Sequence, residues 1–231
     1  MTRNKIICLI PAKKNSSLKN KNMLRIKNKP LIYYTIIHAL KSKYIDEINL
    51  SSDSKTILNY SKKFNINVIK RPKKFATKSS KANEVILHFI RSFKKNLNNK
   101  SIIYLQPTSP LRNFLHINKA IKMHFKNNHK AVISFKKSDN KILKNFLIKK
   151  KSLYPIENGK YAGENRQNLP KILAPNGAIY IFSIKEFMKE KKIPYNKSIP
   201  MIMKSNESID LDTSQDFAQI KRLLINNVKK I

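Results

Sequence analysis

The 231-residue chain is long enough to bury an α/β core and short for two independent domains. Its formal charge of +36 comes from 49 Lys and Arg against 13 Asp and Glu, and the excess is mostly lysine, spread along the chain beside abundant Asn and Ile and only three Gly. A skewed base composition accounts for that blend better than a nucleic-acid surface, which would interleave aromatics with its cations or show a recognisable module. No apolar run reaches the length of a membrane span or a signal core, and the lone Cys8 excludes an intramolecular disulfide, so the expectation is a reduced, cytoplasmic protein.

Short runs rich in Ile, Val and Leu alternate with segments of helical period, which predicts βαβ units around a mostly parallel sheet. In chain order the predicted strands are 6–10, 47–51, 68–69, 101–105, 131–135 and 177–182. The predicted helices are 31–41, 55–63, 83–95, 115–125 and 214–226, the last with Ser214 as its N-cap. Cys8 falls inside the first strand, where a thiol packs neutral and inaccessible. The stretch 136–175 breaks the rhythm. It is polar, carries Gly159 and Gly163 and shows no βα repeat, so it reads as a flap or hairpin of about 136–175 inserted in one domain spanning 1–231. Its lysine-dense part, 136–151, reads as a solvated face.

Ligands of open α/β sheets bind beyond the carboxyl ends of the strands, so the loops that follow the predicted strands carry the chemistry. The first, 11–22, offers lysine ammonium and backbone N–H groups to phosphoryl oxygens but lacks the glycines that let a backbone wrap phosphate. After the fourth strand, two prolines fix the segment 105–112, in which Gln106, Thr108 and Ser109 offer neutral hydrogen-bonding groups and Arg112 a planar cation. Near the end of the chain, Ser208-Ile209-Asp210-Leu211-Asp212-Thr213 places two carboxylates at alternate positions of an extended segment, so both leave the same face. Like charges that close repel unless one is protonated or a cation lies between them, and a hard ion such as Mg²⁺ resolves the conflict. The competing reading is that Asp212 or Thr213 simply caps the last helix.

Taken together, these pieces resemble the CMP-sialic acid synthetases, the acylneuraminate cytidylyltransferases, over essentially the full chain. In order they are Lys21-Asn22, Lys29-Pro30-Leu31, Ser51-Ser52-Asp53-Ser54, Arg71-Pro72, the LQPTSPLR run from Leu105 to Arg112, Arg166-Gln167-Asn168-Leu169-Pro170, the PNGAIYI run from Pro175 to Ile181, and SIDLDT from Ser208 to Thr213. The resemblance implies a Rossmann-like nucleotidyltransferase fold and a homodimer in which the flap of each subunit borders the other's site. It implies CTP and a nine-carbon 2-keto-3-deoxy sugar acid as substrates and Mg²⁺ as cofactor. By motif, Lys13 and Lys21 hold the triphosphate, with Ala12, Asn15 and Ser17 in the same nucleotide loop. Asn22 and Arg71 contact the nucleoside, with Ser52 and Asp53 close by. Gln106, Thr108, Ser109 and Arg112 line the sugar side, and Lys144 and Arg166 reach in from the flap. Asp210 and Asp212 ligate Mg²⁺, and Lys21, Arg166 and Asp212 carry the catalytic assignments, Asp212 helping to deprotonate the attacking hydroxyl. Arg166-Gln167 with PNGAIYI resembles the branch that uses N-acetylneuraminate or legionaminate more than those for pseudaminate or Kdo.

The first loop departs from the family. Where the family reads Arg after the alanine and then Ser-Lys-Gly, this chain has Lys13 and Ser16-Ser17-Leu18 in a segment one residue shorter. Lysine keeps the charge but loses the bidentate fork, and Lys19 can replace the missing lysine only after a shift of the loop. Two alternatives follow: a catalytically weakened homologue of the same fold and, from charge alone, a basic nucleic-acid-binding protein.

Overall fold

The computed structural model describes residues 4–14, 18–93, 97 and 99–227. The chain runs β1 (Lys5–Pro11), a small hairpin of β2 (Arg25–Ile26) and β3 (Lys29–Pro30), α1 (Leu31–Leu40), β4 (Glu47–Ser52), α2 (Lys55–Lys62), β5 (Asn67–Lys70), α3 (Ala82–Ser92), β6 (Lys100–Tyr104), α4 (Phe114–Lys126) and β7 (Val132–Ser138). A second hairpin, β8 (Phe146–Lys149) and β9 (Ser152–Pro155), then leads to β10 (Ile172–Ser183), α5 (Ile184–Glu190), β11 (Ile199–Ile202) and α6 (Ser214–Asn227). Seven strands form one sheet in the order β11-β7-β10-β6-β1-β4-β5. It is parallel except for β10, which runs antiparallel between β6 and β7. This is the mostly parallel mixed α/β sheet that the periodicity predicts. Among the described residues no helix is long and apolar enough to cross a membrane.

β1 sits inside the sheet because it is apolar on both faces. Ile6, Cys8 and Ile10 join Ile32 and Ile36 of α1, Ile57 of α2 and Ile117 and Ile121 of α4 on one side, while Ile7 and Leu9 join Ile86 and Phe89 of α3 and Phe187 of α5 on the other. Each such side chain stabilises the fold by roughly 1.5–3 kcal/mol. Burial pushes the Cys8 thiol up to about 12, so it stays neutral.

The structure departs from the sequence reading at several ends. α3 stops at Ser92 because Phe93 turns extended, well before 95, and residues 94 and 95 lie outside the described residues. α5 and β11 carry no sequence signal strong enough to predict them; β11 contains Pro200 and is an edge strand, where a missing N–H is tolerated. Thr213, not Ser214, caps α6: its hydroxyl accepts from the Asp216 N–H at 3.1 Å, and the Asp216 carboxylate accepts from the Thr213 N–H at 2.7 Å. Between β7 and β10, residues 139–171 leave the sheet, and in this excursion the β8–β9 hairpin exposes Phe146, Leu147, Ile148, Leu153 and Tyr154.

β10 carries the irregularity that shapes the site. Against β7, Pro175 pairs with Phe135 but Tyr180 with Ile133, so the chain between them arches off the ladder. Gly177 sits in that arch at φ +76°, and a Cβ there would lie 2.9 Å from Gln106 Oε1 and 3.3 Å from Asp210 Oδ2. Gly177→Ala is expected to destabilise the protein by about 1–3 kcal/mol, read as a lower urea midpoint. Gly163→Ala, whose Cβ meets nothing within 4 Å, should stay near the parent.

Candidate active site

The carboxyl ends of β1, β5 and β6 open into a cleft of about 250 Å³. One part of its lining is cationic. Arg71 follows β5, and its backbone N–H bonds the Ser52 carbonyl at 2.8 Å, which sets where the side chain starts. The side chain is buried, yet among the described residues Nε and Nη2 have no hydrogen-bond partner. Burial lowers its pKa, while nearby Tyr104 and Asp53 oppose the shift. Enclosed donors without acceptors are costly unless a ligand supplies them. Lys13 and Lys21 line the same cleft. Burial, then the charges of Arg71 and Lys21, pull the Lys13 pKa down, a crowding of positive charge that an anion relieves.

The acidic part is built around a buried leucine. Leu211 is fully enclosed with Ile26, Leu31, Leu111 and Ile220, and its N–H bonds the Thr108 carbonyl at 2.9 Å. In an extended segment its neighbours point the other way, and both Asp210 and Asp212 line the cleft. Lys21 donates to the Leu211 carbonyl and lies 3.1 Å from Asp212 Oδ1. Asp212 therefore faces the lysine, and the cap of α6 is left to Thr213. Asp210 lies beside Thr108, and its Oδ1 is enclosed with no hydrogen-bond partner among the described residues. Burial and, more weakly, the Asp212 charge raise its pKa, with Thr108 and Lys21 opposing.

That donor set bears on a metal. Among the described residues no group of three or more His, Cys, Asp or Glu converges, so a cage made wholly of protein ligands is absent. Two carboxylates, one with an open enclosed oxygen, beside lysines and a guanidinium suit an ion shared between protein and phosphate, the habit of Mg²⁺.

Of the residues singled out in the sequence, the cleft brings together Lys13, Lys21, Asn22, Arg71, Gln106, Thr108, Asp210 and Asp212. Asn22 donates to the Lys13 carbonyl at 2.9 Å and keeps a buried Oδ1 without a hydrogen-bond partner among the described residues. Others lie behind the lining. Ala12 packs in the core, Ser52 accepts from the Ser54 N–H at 3.1 Å, and Asp53 accepts from the Lys14 N–H at 2.8 Å, so the last two shape loops. Ser109 is buried, its hydroxyl without a hydrogen-bond partner among the described residues.

Arg112 corrects the expectation of a sugar contact. It is 0% exposed, with Nη1 donating to the carbonyls of Gln106 and Ala178, each at 3.0 Å, and Nη2 to Thr35 Oγ1 at 2.7 Å. Burial brings its pKa down to about 10. Its donors tie the tip of β6 to the arch of β10 from behind. Lys144 donates to the Glu164 carbonyl at 2.8 Å and Arg166 is exposed; both belong to the excursion between β7 and β10 and neither lines this cleft. Asn15 and Ser17 lie outside the described residues.

Sequence reasoning missed Tyr104, Phe75, Ser80 and Val85 as lining residues. A signal existed: Tyr104 ends a strand, and the other three belong to the connection after β5 and the start of α3, positions that the strand-end rule covers.

A cytidylyltransferase family model matches residues 7–229. The N-acylneuraminate cytidylyltransferase of Streptococcus agalactiae serotype V is 30% identical over 220 residues, covering 94% of this chain and 52% of that protein, so the chain spans about half the length of this streptococcal relative. The CMP-N,N'-diacetyllegionaminic acid synthase of Legionella pneumophila subsp. pneumophila is 31% identical over 230 residues, 95% of this chain and 96% of that one. A solved CMP:2-keto-3-deoxy-manno-octonic acid synthetase, complexed with CTP, superposes with a TM-score of 0.71 at 14% identity, covering 96% of this chain and 99% of that one, a likeness of fold. On the family match and the full-length legionaminic relative, the chain belongs to the cytidylyltransferase family, among the CMP-sialic acid synthetases.

Proposed function

We propose that the protein couples CTP to a nine-carbon 2-keto-3-deoxy sugar acid of the nonulosonic type, giving the CMP-sugar and pyrophosphate with Mg²⁺ as cofactor. The observation that carries this reading is the enclosed, unpartnered Asp210 Oδ1 in the same cleft as the open guanidinium of Arg71. One asks for a cation and the other for acceptors, and a nucleotide with its metal satisfies both. The relatives' names point to an N-acylneuraminate or N,N'-diacetyllegionaminate as the acid.

In this reading the anomeric hydroxyl attacks the α-phosphorus of CTP, and the new P–O bond forms as the bond to pyrophosphate breaks. Its proton passes to Asp212, whose side chain is 65% exposed and is held by Lys21 at 3.1 Å. Lys13 and Lys21 neutralise phosphoryl charge, Arg71 and Asn22 fix the nucleoside, and Gln106 and Thr108 hydrogen-bond the sugar. Asp210 and Asp212 would hold Mg²⁺, which supplies Lewis-acid and template chemistry. No covalent bond to the protein is needed, so positioning and preorganised charge provide the acceleration. Lys144 and Arg166 join the reaction in a homodimer whose flap crosses to the partner's cleft. Such a dimer also covers the exposed apolar side chains of the β8–β9 hairpin.

Pyrophosphate release from CTP, Mg²⁺ and a panel of nonulosonic acids tests the reading: excess chelator should stop turnover, and Asp212→Asn should slow it by at least about 100-fold. Undiminished rates in chelator would overturn the metal assignment. Asp210 supplies a stability test. Its raised pKa means that the folded protein disfavours the ionised carboxylate, so folding stability is lost as pH rises from the ordinary Asp range through the raised value. Metal-free Asp210→Asn is thus expected to melt above the parent at neutral pH, with the gain shrinking as pH falls through the carboxylate range. In light scattering the parent is expected to have a dimer's mass, and Ile148→Asp with Leu153→Asp a monomer's mass and little activity.

A further inference from the structure

We infer that Asn176 is a positioning residue for the metal-side carboxylate, acting through Ser208 on Asp210. The inference rests on the metal reading proposed above and adds a role that lies outside the cleft lining. Asn176 is 3% exposed and uses both ends of its amide. Oδ1 accepts from Ser134 Oγ at 2.6 Å and from the Ala178 N–H at 3.2 Å, while Nδ2 donates to Ser208 Oγ at 2.9 Å and to Met203 Sδ at 3.4 Å. An amide bonded at both ends has one orientation, so it fixes the distance between the β10 arch and Ser208.

Ser208 is itself buried, closes the turn at Ser205–Glu207 through its N–H to the Ser205 carbonyl at 3.2 Å, and stands two residues before Asp210. The arch therefore meets this segment at successive points: Asn176 holds Ser208, and the bare backbone of Gly177 faces Asp210 Oδ2. Ser134 anchors the arch from the other side, accepting from the Ile179 N–H at 2.8 Å. A polar cluster this enclosed is an expensive way to fill space, and apolar side chains would pack there without partners to satisfy. Its use is explained if the depth of Asp210 in the cleft has to be set. Groups that orient a metal ligand from behind typically alter metal affinity by about 10–100-fold when removed.

The test uses Mn²⁺ as the metal probe, with free Mn²⁺ followed by electron paramagnetic resonance in the presence of CTP. Ser208→Ala should weaken Mn²⁺ binding by about tenfold, leave CTP binding in chelator unchanged, and recover turnover at saturating metal. Asn176→Ala, which removes the other partner, should shift Mn²⁺ affinity the same way. Ser42→Ala breaks a hydrogen bond of 2.6 Å to Asn118 between the end of α1 and α4, and serves as the control: it should lower the melting temperature without moving Mn²⁺ affinity. Equal Mn²⁺ affinity in the parent and Ser208→Ala overturns the inference alone, as does an equal loss of CTP affinity in chelator. A parent that takes up no Mn²⁺ beside CTP overturns the metal reading and the inference with it.

Discussion

The site depends on one ammonium group. Lys21, 5% exposed, leaves the loop after the first strand and donates to the Leu211 carbonyl and to Asp212 near the other end of the sequence. An ion pair with so exposed a carboxylate adds little to stability, commonly under about 1 kcal/mol. Direction is what it provides. The buried carbonyl bond joins the two loops, the enclosed Leu211 side chain sets the alternation, and the carboxylates on either side both line the cleft.

Two enclosed guanidiniums show how the same group serves as scaffold or as site. Arg112 spends its Nη donors on two carbonyls and a hydroxyl, with no carboxylate among its hydrogen-bond partners, and so links β6, β10 and α1. Arg71 is nearly as enclosed but leaves Nε and Nη2 open toward a cavity. The first arrangement resembles a rivet and the second a socket. Arg112 Nε also lacks a hydrogen-bond partner among the described residues, but Arg112 does not line the cleft, so a ligand there reaches the open donors of Arg71 alone.

Much of the architecture was legible in the chain because burial imposes periodicity: a strand apolar on both faces, as 6–10 is, has one natural place in an α/β sheet. The pairing of Asp210 and Asp212 was legible for the same reason, since alternation is geometric. What escaped depended on partners distant in sequence. Arg112 looked like a binding cation until the carbonyls of Gln106 and Ala178 came within reach of it. The cap did have a local signal, since Asp216 stands three residues after Thr213 and completes a capping box, whereas Ser214 is followed at that spacing by Phe217. Beyond the strand-end rule, Tyr104 and Phe75 carried no mark in the sequence, because only the folded cleft brings them together in one lining. β11, with proline in an edge position, has no one-dimensional signature of pairing with β7.

The arch at Gly177 bears on how far the composition of this chain can drift. At the two hairpins left-handed backbone is carried by residues that adenine-rich codons supply: Lys27 and Asn28 turn one, and Lys150 and Lys151 turn the other. Those turns face open space, so a side chain costs only backbone strain there. At residue 177 the space is already filled by Gln106 and Asp210, and no asparagine or lysine fits. Mutational bias can rewrite the periphery of such a fold almost freely, but it halts where a single carbon atom would enter the volume reserved for chemistry.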